Sequence, residues 1–246
     1  MREALVVGGA NGIGLTIATL LAEDERFGRI HIVDRMEVAE EHGNPKFATT
    51  LFDLRAEDYS IFNTFNNIDT LIITAGFGRL AHFGDIEEQH VVDSFEVNSI
   101  APIRIIHHFY PRLRAKEDFY CGVMGSIAGF LSSPLFAVYG ATKAAIRVFI
   151  ESVNVELEMT GSLNRILNIS PGSIKGTAFY SGANDLNLTR QLGNEILEHL
   201  WAKDDLFIPQ YDEVYRHVLE RYHEDFRAEG RHSYQYKMQS DRVTKK

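Results

Sequence analysis

Short apolar runs alternate with helical patterns along most of this chain. The apolar runs predict strands at 4–7, 29–34, 47–51, 69–76, 119–124 and 164–169. The run at 69–76 is almost continuously apolar, as expected for a parallel strand that is buried on both faces. Helical patterns follow the first strand and cover 87–115, 139–159 and 212–226, and residues 233–238 read as an edge strand. This alternation predicts an α/β fold: a right-handed, doubly wound parallel sheet in a three-layer αβα arrangement.

Domain organisation follows from length and from the absence of a visible boundary. The chain has 246 residues and contains no internal repeat, low-complexity block or linker, so we expect one domain over 1–246. Within it, residues 175–205 mix scattered apolar positions with polar ones. That pattern favours a mobile cover over a site, and the alternative is a set of surface helices packed on the sheet.

Charge and cysteine content exclude several classes of partner. The net charge is −9 with no long basic tract, so nucleic acid and anionic membranes are not expected as partners. The single Cys121 cannot form an internal disulfide and fits a reducing compartment. With no visible signal peptide and no apolar run of about 18 residues, we expect a cytoplasmic protein. The 10 histidines lack metal-ligand spacing, so no metal is expected.

A glycine-rich turn links the first strand to the first helix. Gly8 allows a tight turn, Gly12 lets the backbone approach a pyrophosphate, and Gly14 lets the helix pack closely on the strand. The free N–H groups at the helix start would face the phosphates. Asp34 ends the second strand 20 residues after Gly14, where a carboxylate can bind the adenosine ribose hydroxyls. The alternative for Asp34 is a solvated carboxylate at a strand end.

Two hydroxyl-bearing residues and a lysine form the candidate chemistry. Ser126 lies at the end of the apolar run 119–124, 13 positions before Tyr139. Lys143 follows Tyr139 by one helical turn on the same face. A phenol titrates near pH ~10, and an adjacent ammonium would lower that pKa. The group suits proton transfer to or from a carbonyl or alcohol oxygen.

Residues 5–177 resemble the short-chain dehydrogenase/reductase family, which has a Rossmann-type sheet. The resemblance rests on motifs in matching order: Val7-Gly8-x-x-x-Gly12-Ile13-Gly14, Ile73-Thr74-Ala75-Gly76, Asn98, Ser126, Tyr139-x-x-x-Lys143 and Pro171-Gly172. It implies that Tyr139 is the general acid/base, that Ser126 steadies the reacting oxygen, and that Asn98 holds a water in a proton relay. Lys143 would lower the Tyr139 pKa and bind the nicotinamide ribose.

The same resemblance implies a set of cofactor contacts. Asp53 and Leu54 would meet the adenine, and Ile174 the carboxamide. With Asn98, Tyr139 and Lys143, the expected cofactor-binding residues are Gly8, Asn11, Gly12, Ile13, Gly14, Asp34, Arg35, Asp53, Leu54, Ala75, Gly76, Pro171, Gly172, Ile174 and Thr177.

The sequence departs from the family pattern at three places. Val7 replaces a threonine, so a turn hydrogen bond is missing. Ile73-Thr74 replaces Asn-Asn, which puts a link between strands in question. The threonine after Pro171-Gly172 falls one place late, as Thr177, because Gly176 takes its position.

These features predict an NAD-dependent alcohol dehydrogenase or carbonyl reductase. Asp34 favours NAD over NADP, against the counter-argument that Arg35 could pair with a 2′-phosphate. Apolar residues after Ser126, namely Phe130, Leu131 and Leu135, favour a small-molecule substrate with an apolar body. The long helices at 87–115 and 139–159 predict a homotetramer or homodimer. A redox sensor without turnover, and an epimerase or dehydratase on the same fold, are the alternatives.

Overall fold

The computed structural model of the protein describes residues 1–177, 179, 184–240 and 243. Over these residues the strands form one parallel sheet of seven, in the order β3-β2-β1-β4-β5-β6-β7. Strands β2 and β3 lie on one side of β1, and β4 to β7 lie on the other. Open α/β sheets bind ligands at the point between β1 and β4 where the strand order changes in this way. The strands are β1 (Arg2–Val7), β2 (Phe27–Asp34), β3 (Phe47–Leu51), β4 (Thr70–Ile73), β5 (Tyr120–Met124), β6 (Ile166–Ile169) and β7 (Leu206–Phe207).

Helices cover both faces of the sheet and complete the expected three-layer αβα fold. They are α1 (Gly12–Glu23), α2 (Glu88–Phe95), α3 (Ala101–Arg114), α4 (Ala137–Met159), α5 (Leu186–Ala202), α6 (Arg216–Glu224) and α7 (Phe226–Met238). One core layer joins the sheet to α3 and α4, and the other joins it to α1 and α5. Within the described part of the chain, no helix is long and apolar enough to cross a bilayer.

The predicted helix at 87–115 is interrupted at its centre. Glu96–Ile100 forms a π-helical turn between α2 and α3, and Asn98 is its middle residue. π-Turns inside helices are rare and often lie at functional sites. Pro102 follows, and because proline has no N–H it cannot donate to the Asn98 carbonyl four residues earlier. The local sequence therefore departs from regular helix where the predicted site residue lies.

The C-terminal prediction of an edge strand at 233–238 is wrong. These residues belong to α7, whose start is capped by Asp225: its Oδ1 accepts hydrogen bonds from Arg227 N at 2.9 Å and Ala228 N at 3.0 Å. Asp225 also ends the predicted helix at 212–226, which is α6 preceded by a π-helical turn. The edge strand beside β6 is instead the short β7.

Residues 186–202 form a regular helix, α5, which packs on α1. This part of the predicted cover at 175–205 therefore follows the alternative of a surface helix packed against the rest of the fold. Residues 178 and 180–183 of that segment lie outside the described residues. Phe179 and Asn184, on either side of them, both line the cleft described below, and a covering role for this segment stays a prediction.

Candidate active site

Two glycines of the loop between β1 and α1 are required by their surroundings. Gly8 has φ of 86°, and a Cβ there would lie 2.4 Å from the backbone nitrogen of Ala75. A Cβ at Gly14 would lie 2.1 Å from the Gly8 carbonyl oxygen. Real Cβ atoms do not approach other atoms so closely. The loop therefore turns tightly against β4 and brings the start of α1 onto the strand, as the glycine spacing predicted.

Thr74 supplies a link between strands that the motif differences had put in question. Its hydroxyl lies 3.0 Å from the Gly8 carbonyl oxygen and 3.2 Å from that of Val7, and donates to this pair. The end of β4 is thereby tied to the glycine loop without an asparagine at position 74. Because the hydroxyl comes from the residue that follows β4, the loop is linked even though position 7 is valine.

The Asp34 carboxylate is held beside the glycine loop. Its Oδ2 accepts a hydrogen bond from Ala10 N at 3.0 Å, and its Oδ1 accepts one from Met36 N at 3.1 Å. Asp34 is half-buried, whereas Arg35 is exposed. The carboxylate is thus fixed at the end of β2, where a ribose would lie in a dinucleotide complex.

Charged side chains of both signs meet at the same end of the site. Arg55 donates to Asp53 and to Asp93, with distances of 2.6 and 2.9 Å. Hydrogen bonds from the Arg55 side chain and backbone, with a smaller contribution from the nearby charge of Arg35, lower the pKa of Asp53 to about 2. Asp53 therefore remains ionised, and Arg55 is already engaged by two carboxylates.

A cleft of about 640 Å³ opens at the carboxyl ends of the central strands. It collects every predicted cofactor residue except Asn98: Gly8, Asn11, Gly12, Ile13, Gly14, Asp34, Arg35, Asp53, Leu54, Ala75, Gly76, Tyr139, Lys143, Pro171, Gly172, Ile174 and Thr177. Asn98 and Ser126 lie behind this lining. Thr177 reaches the cleft although it is displaced in sequence, because Gly176 takes a left-handed turn with φ of 78°. A Cβ on Gly176 would lie 2.9 Å from Leu188 Cβ, which explains a glycine there.

Tyr139 lies in the first turn of α4, which begins at Ala137. Its side chain is buried, and its ring stacks on that of Phe136 with centroids 4.3 Å apart. Burial raises the pKa of Tyr139 to about 12, and a hydrogen bond with the Ser126 side chain acts in the opposite direction. Ser126 itself caps the short turn after β5, where its hydroxyl accepts from Ala128 N at 3.2 Å. The two hydroxyls therefore converge as the spacing predicted.

Lys143 is buried one turn further along α4. Its Nζ donates to the Met124 carbonyl oxygen at 2.7 Å and lies 5.6 Å from the centroid of the Tyr139 ring. Burial lowers the pKa of Lys143 to about 8. In the protein on its own, Lys143 is not among the groups that shift the pKa of Tyr139, and its lowering of that pKa stays a prediction. Both groups are removed from water, and desolvation favours the neutral form of each.

The Asn98 side chain joins three parts of the site. Its Oδ1 accepts from Phe77 N at 2.9 Å, and its Nδ2 donates to the Phe77 carbonyl at 2.8 Å and to Thr142 Oγ1 at 3.1 Å. Thr142 in turn donates to the Tyr139 carbonyl at 2.7 Å. Asn98 thus fixes the loop after β4 to the helix that carries Tyr139. Both amide hydrogens are used, so a water held by Asn98 would bind to one of its carbonyl oxygens.

Sequence reasoning placed Phe179 only within the predicted cover at 175–205 and did not single out Asn184, although both shape the site. The Phe179 ring lies 5.3 Å from the Tyr139 ring and 5.9 Å from the Phe136 ring. The Asn184 amide contacts the glycine loop at Asn11 and Gly12. These contacts join residues 40 or more positions apart in the chain, and no local pattern marks them.

Comparison with known proteins places these motifs in a family. Residues 2–185 match the family model described as short chain dehydrogenase. This chain belongs to the short-chain dehydrogenase family. A curated relative, "Short-chain dehydrogenase RED1" of Pyricularia oryzae, is 28% identical over 201 residues, which cover 75% of this chain and 66% of that protein. The chain therefore aligns with just under two thirds of that relative's length.

Solved structures share the same fold. A short-chain dehydrogenase from Sphingobium yanoikuyae in complex with NADPH has a TM-score of 0.72 and 20% identity, covering 92% of this chain and 96% of that one. The bulky-bulky ketone specific alcohol dehydrogenase from Comamonas testosteroni has a TM-score of 0.72 and 22% identity, covering 93% and 94%. The family is one of oxidoreductases, and a nicotinamide dinucleotide is its cofactor.

Proposed function

We propose that this short-chain dehydrogenase transfers a hydride between NAD(H) and an alcohol or carbonyl substrate, with Tyr139 as the general acid/base. The observation that carries the proposal is the position of Tyr139 and Lys143, with Ser126 hydrogen-bonded to Tyr139, at one end of the cleft whose other end holds the glycine loop and Asp34. A redox sensor would need the glycine loop and Asp34 to bind the dinucleotide, but it would not need Ser126, Tyr139 and Lys143.

The residues fit a nicotinamide dinucleotide. The glycine loop lets backbone approach backbone at Gly8 and Gly14, and the N–H groups at the start of α1 suit a pyrophosphate. Asp34 would hold the adenosine ribose and Lys143 the nicotinamide ribose. When bound, the dinucleotide accepts or supplies the hydride, and its oxidised form also brings a positive charge.

The protonation states of the two buried groups support proton donation to a carbonyl oxygen. With a pKa of about 12, Tyr139 carries its proton at neutral pH and can act as the acid in carbonyl reduction. Ser126 would donate to the same oxygen and orient it. Lys143, with a pKa of about 8, is a stronger acid than Tyr139 and can therefore restore the proton to the phenolate. We assign the intervening water of this relay to a carbonyl oxygen of Asn98.

The substrate's apolar body would contact an aromatic wall. Phe136 and Phe179 both lie against Tyr139, and Phe77 also lines the cleft. These contacts support the prediction of an apolar substrate, with the rest of the segment 175–205 as its cover. The buried Cys121 keeps the cytoplasm as the proposed location.

We also propose a homodimer or homotetramer assembled through α4. Its outward face carries small and apolar side chains at spacings of three and four residues, namely Ala141, Ala145, Val148, Ser152, Val155 and Met159, and all of them are exposed. Val155 is 60% exposed and Met159 81%. Such a seam suits packing against the same helix of a second copy.

The test of the proposed chemistry is Tyr139→Phe, assayed with a panel of alcohols and ketones at the nicotinamide absorbance band. The variant removes only the hydroxyl, so we expect NADH binding to be nearly unchanged while turnover falls by at least ~10²-fold, the usual scale of general acid–base catalysis. Retention of most of the turnover would rule out Tyr139 as the acid/base. A wild type that binds NADH but turns over no substrate in the panel would favour the sensor.

A further inference from the structure

The side chain of Asn184 sits on the glycine loop, between β1 and α1. Its Oδ1 accepts a hydrogen bond from Gly12 N at 3.0 Å, and its Nδ2 donates to Asn11 Oδ1 at 2.7 Å. Both partners lie 172 or more positions away in the chain. One primary amide thus bonds to two successive residues of the loop that the glycine pattern assigned to a pyrophosphate.

The Gly12 N–H is a donor that the helix itself cannot satisfy. Gly12 is the first residue of α1, and the first N–H groups of a helix have no partner within it. Asn11 occupies the capping position, yet its side chain makes no capping hydrogen bond. The side-chain oxygen of Asn184, from a distant part of the chain, accepts the Gly12 N–H instead. It therefore uses the N–H that a phosphate oxygen would need.

Asn184 is held in this place by the helix that follows it. Asp185 caps α5 by accepting from Asn187 N at 3.0 Å. The helix is fixed on α1 by a hydrogen bond of 2.6 Å between the Thr189 and Thr16 hydroxyls, and by the ion pair of Arg190 with Glu23. With α5 anchored in this way, the amide leaves the loop most simply by rotation of the Asn184 side chain.

We propose that Asn184 is a competing cap of the phosphate loop, which the pyrophosphate of a dinucleotide must displace in order to bind. The inference rests on the proposed dinucleotide site. A charged acceptor forms a hydrogen bond roughly twice as strong as a neutral one, so the pyrophosphate displaces the amide when the ligand is abundant. The exchange gives up two neutral hydrogen bonds. Their loss lowers the affinity of the wild type by about tenfold, relative to a chain without the cap.

The test compares Asn184→Ala with the wild type by calorimetric titration of NADH, ADP-ribose and adenosine. We expect Asn184→Ala to lower the Kd of NADH and of ADP-ribose by about tenfold, because both carry the pyrophosphate. The Kd of adenosine, which has no phosphate, should change by less than about twofold. The matched control is Asn187→Ala, an exposed asparagine three positions further on, which should leave all three values unchanged.

A second variant, Asn184→Asp, and thermal unfolding of Asn184→Ala test the competing cap further. Asn184→Asp retains an acceptor for Gly12 N–H and adds a negative charge, so the Kd of ADP-ribose should rise by at least about tenfold. In thermal unfolding without ligand, Asn184→Ala should melt below the wild type because α1 loses its cap.

Weaker or unchanged ADP-ribose binding by Asn184→Ala would overturn the competing cap and leave the dinucleotide site standing. A wild type that binds neither NADH nor ADP-ribose would overturn the proposed function, and the competing cap with it. The two failures are therefore distinguished by the titration of the wild type.

Discussion

Lys143 should make the stability of this protein depend on pH in a way that an exposed lysine does not. Burial lowers its pKa from 10.5 to about 8 in the folded chain. The folded state therefore binds this proton less tightly than the unfolded state. Between these two pKa values the unfolded chain carries the proton and the folded chain does not, so stability rises with pH. Below pH 8 both states are protonated and the full cost of the buried ammonium remains.

The magnitude follows from the difference between the two pKa values. A shift from 10.5 to about 8 corresponds to about 3 kcal/mol in total, at about 1.4 kcal/mol per pKa unit. Between pH 7 and pH 9, the contribution of Lys143 to the free energy of unfolding should rise by about 1.3 kcal/mol. For a chain of this length that gain alone raises the melting temperature by roughly 3 °C. Cys121 makes a smaller opposite contribution, because burial raises its pKa from 9.0 to about 12. Tyr139 does not interfere in this range, because its own contribution begins above pH 10, where an unfolded tyrosine ionises.

The assay is thermal or urea unfolding of the ligand-free protein at pH 7, 8 and 9, for the wild type and Lys143→Met. Methionine keeps the length of the side chain without its charge, so the variant should lack this part of the pH dependence. Titrations elsewhere in the chain are common to both proteins and cancel in the comparison. The control is Lys116→Met, which removes an exposed lysine and should keep the slope of the wild type. Equal slopes for wild type and Lys143→Met would refute the assignment of a neutralised, buried lysine.

Two further predictions concern cofactor choice and assembly. The wild type should have a kcat/KM for NAD tens of fold above that for NADP, because Asp34 would face the 2′-phosphate of NADP. Asp34→Asn should shrink this ratio. Preference of the wild type for NADP would instead favour Arg35 as the cofactor-selecting residue. Val155→Glu should reduce the assembly to a smaller species in sedimentation at micromolar concentration, because a charge enters the apolar face of α4. Leu163→Glu, at an 80% exposed position outside that face, is its control, and a monomeric wild type would contradict the proposed assembly.

Much of the fold could be predicted because its signals are local. The apolar runs that form β1, β4, β5 and β6 are largely buried on both faces, and burial on both faces demands continuous apolar sequence. The glycine loop was predictable for the same reason, since Gly8 and Gly14 occupy backbone positions that exclude any Cβ. The spacing of Tyr139 and Lys143 placed both on one face of α4, because the helical repeat fixes which residues are neighbours.

The prediction of secondary structure failed where the local sequence pattern was ambiguous. At 233–238, Tyr234 and Tyr236 alternate with polar residues and therefore mimic a strand. The helix forms there because Asp225 caps its start and because it packs on α6. The two-residue β7 was missed, since a strand so short carries no periodicity of its own and exists only by pairing with β6.

The protonation states of the site residues and the contacts that hold the glycine loop were decided only by the tertiary structure. A lysine one helical turn after a tyrosine suggests a phenol with a lowered pKa. The pKa values of Lys143 and Tyr139 nevertheless depend on how far folding buries each side chain away from water. The contact of Asn184 with Gly12 likewise requires α5 to be docked on α1. Sequence determined which groups are present and how neighbours along the chain are oriented. Desolvation and contacts between distant segments arise only when the chain is packed, because both depend on residues that the local pattern does not contain.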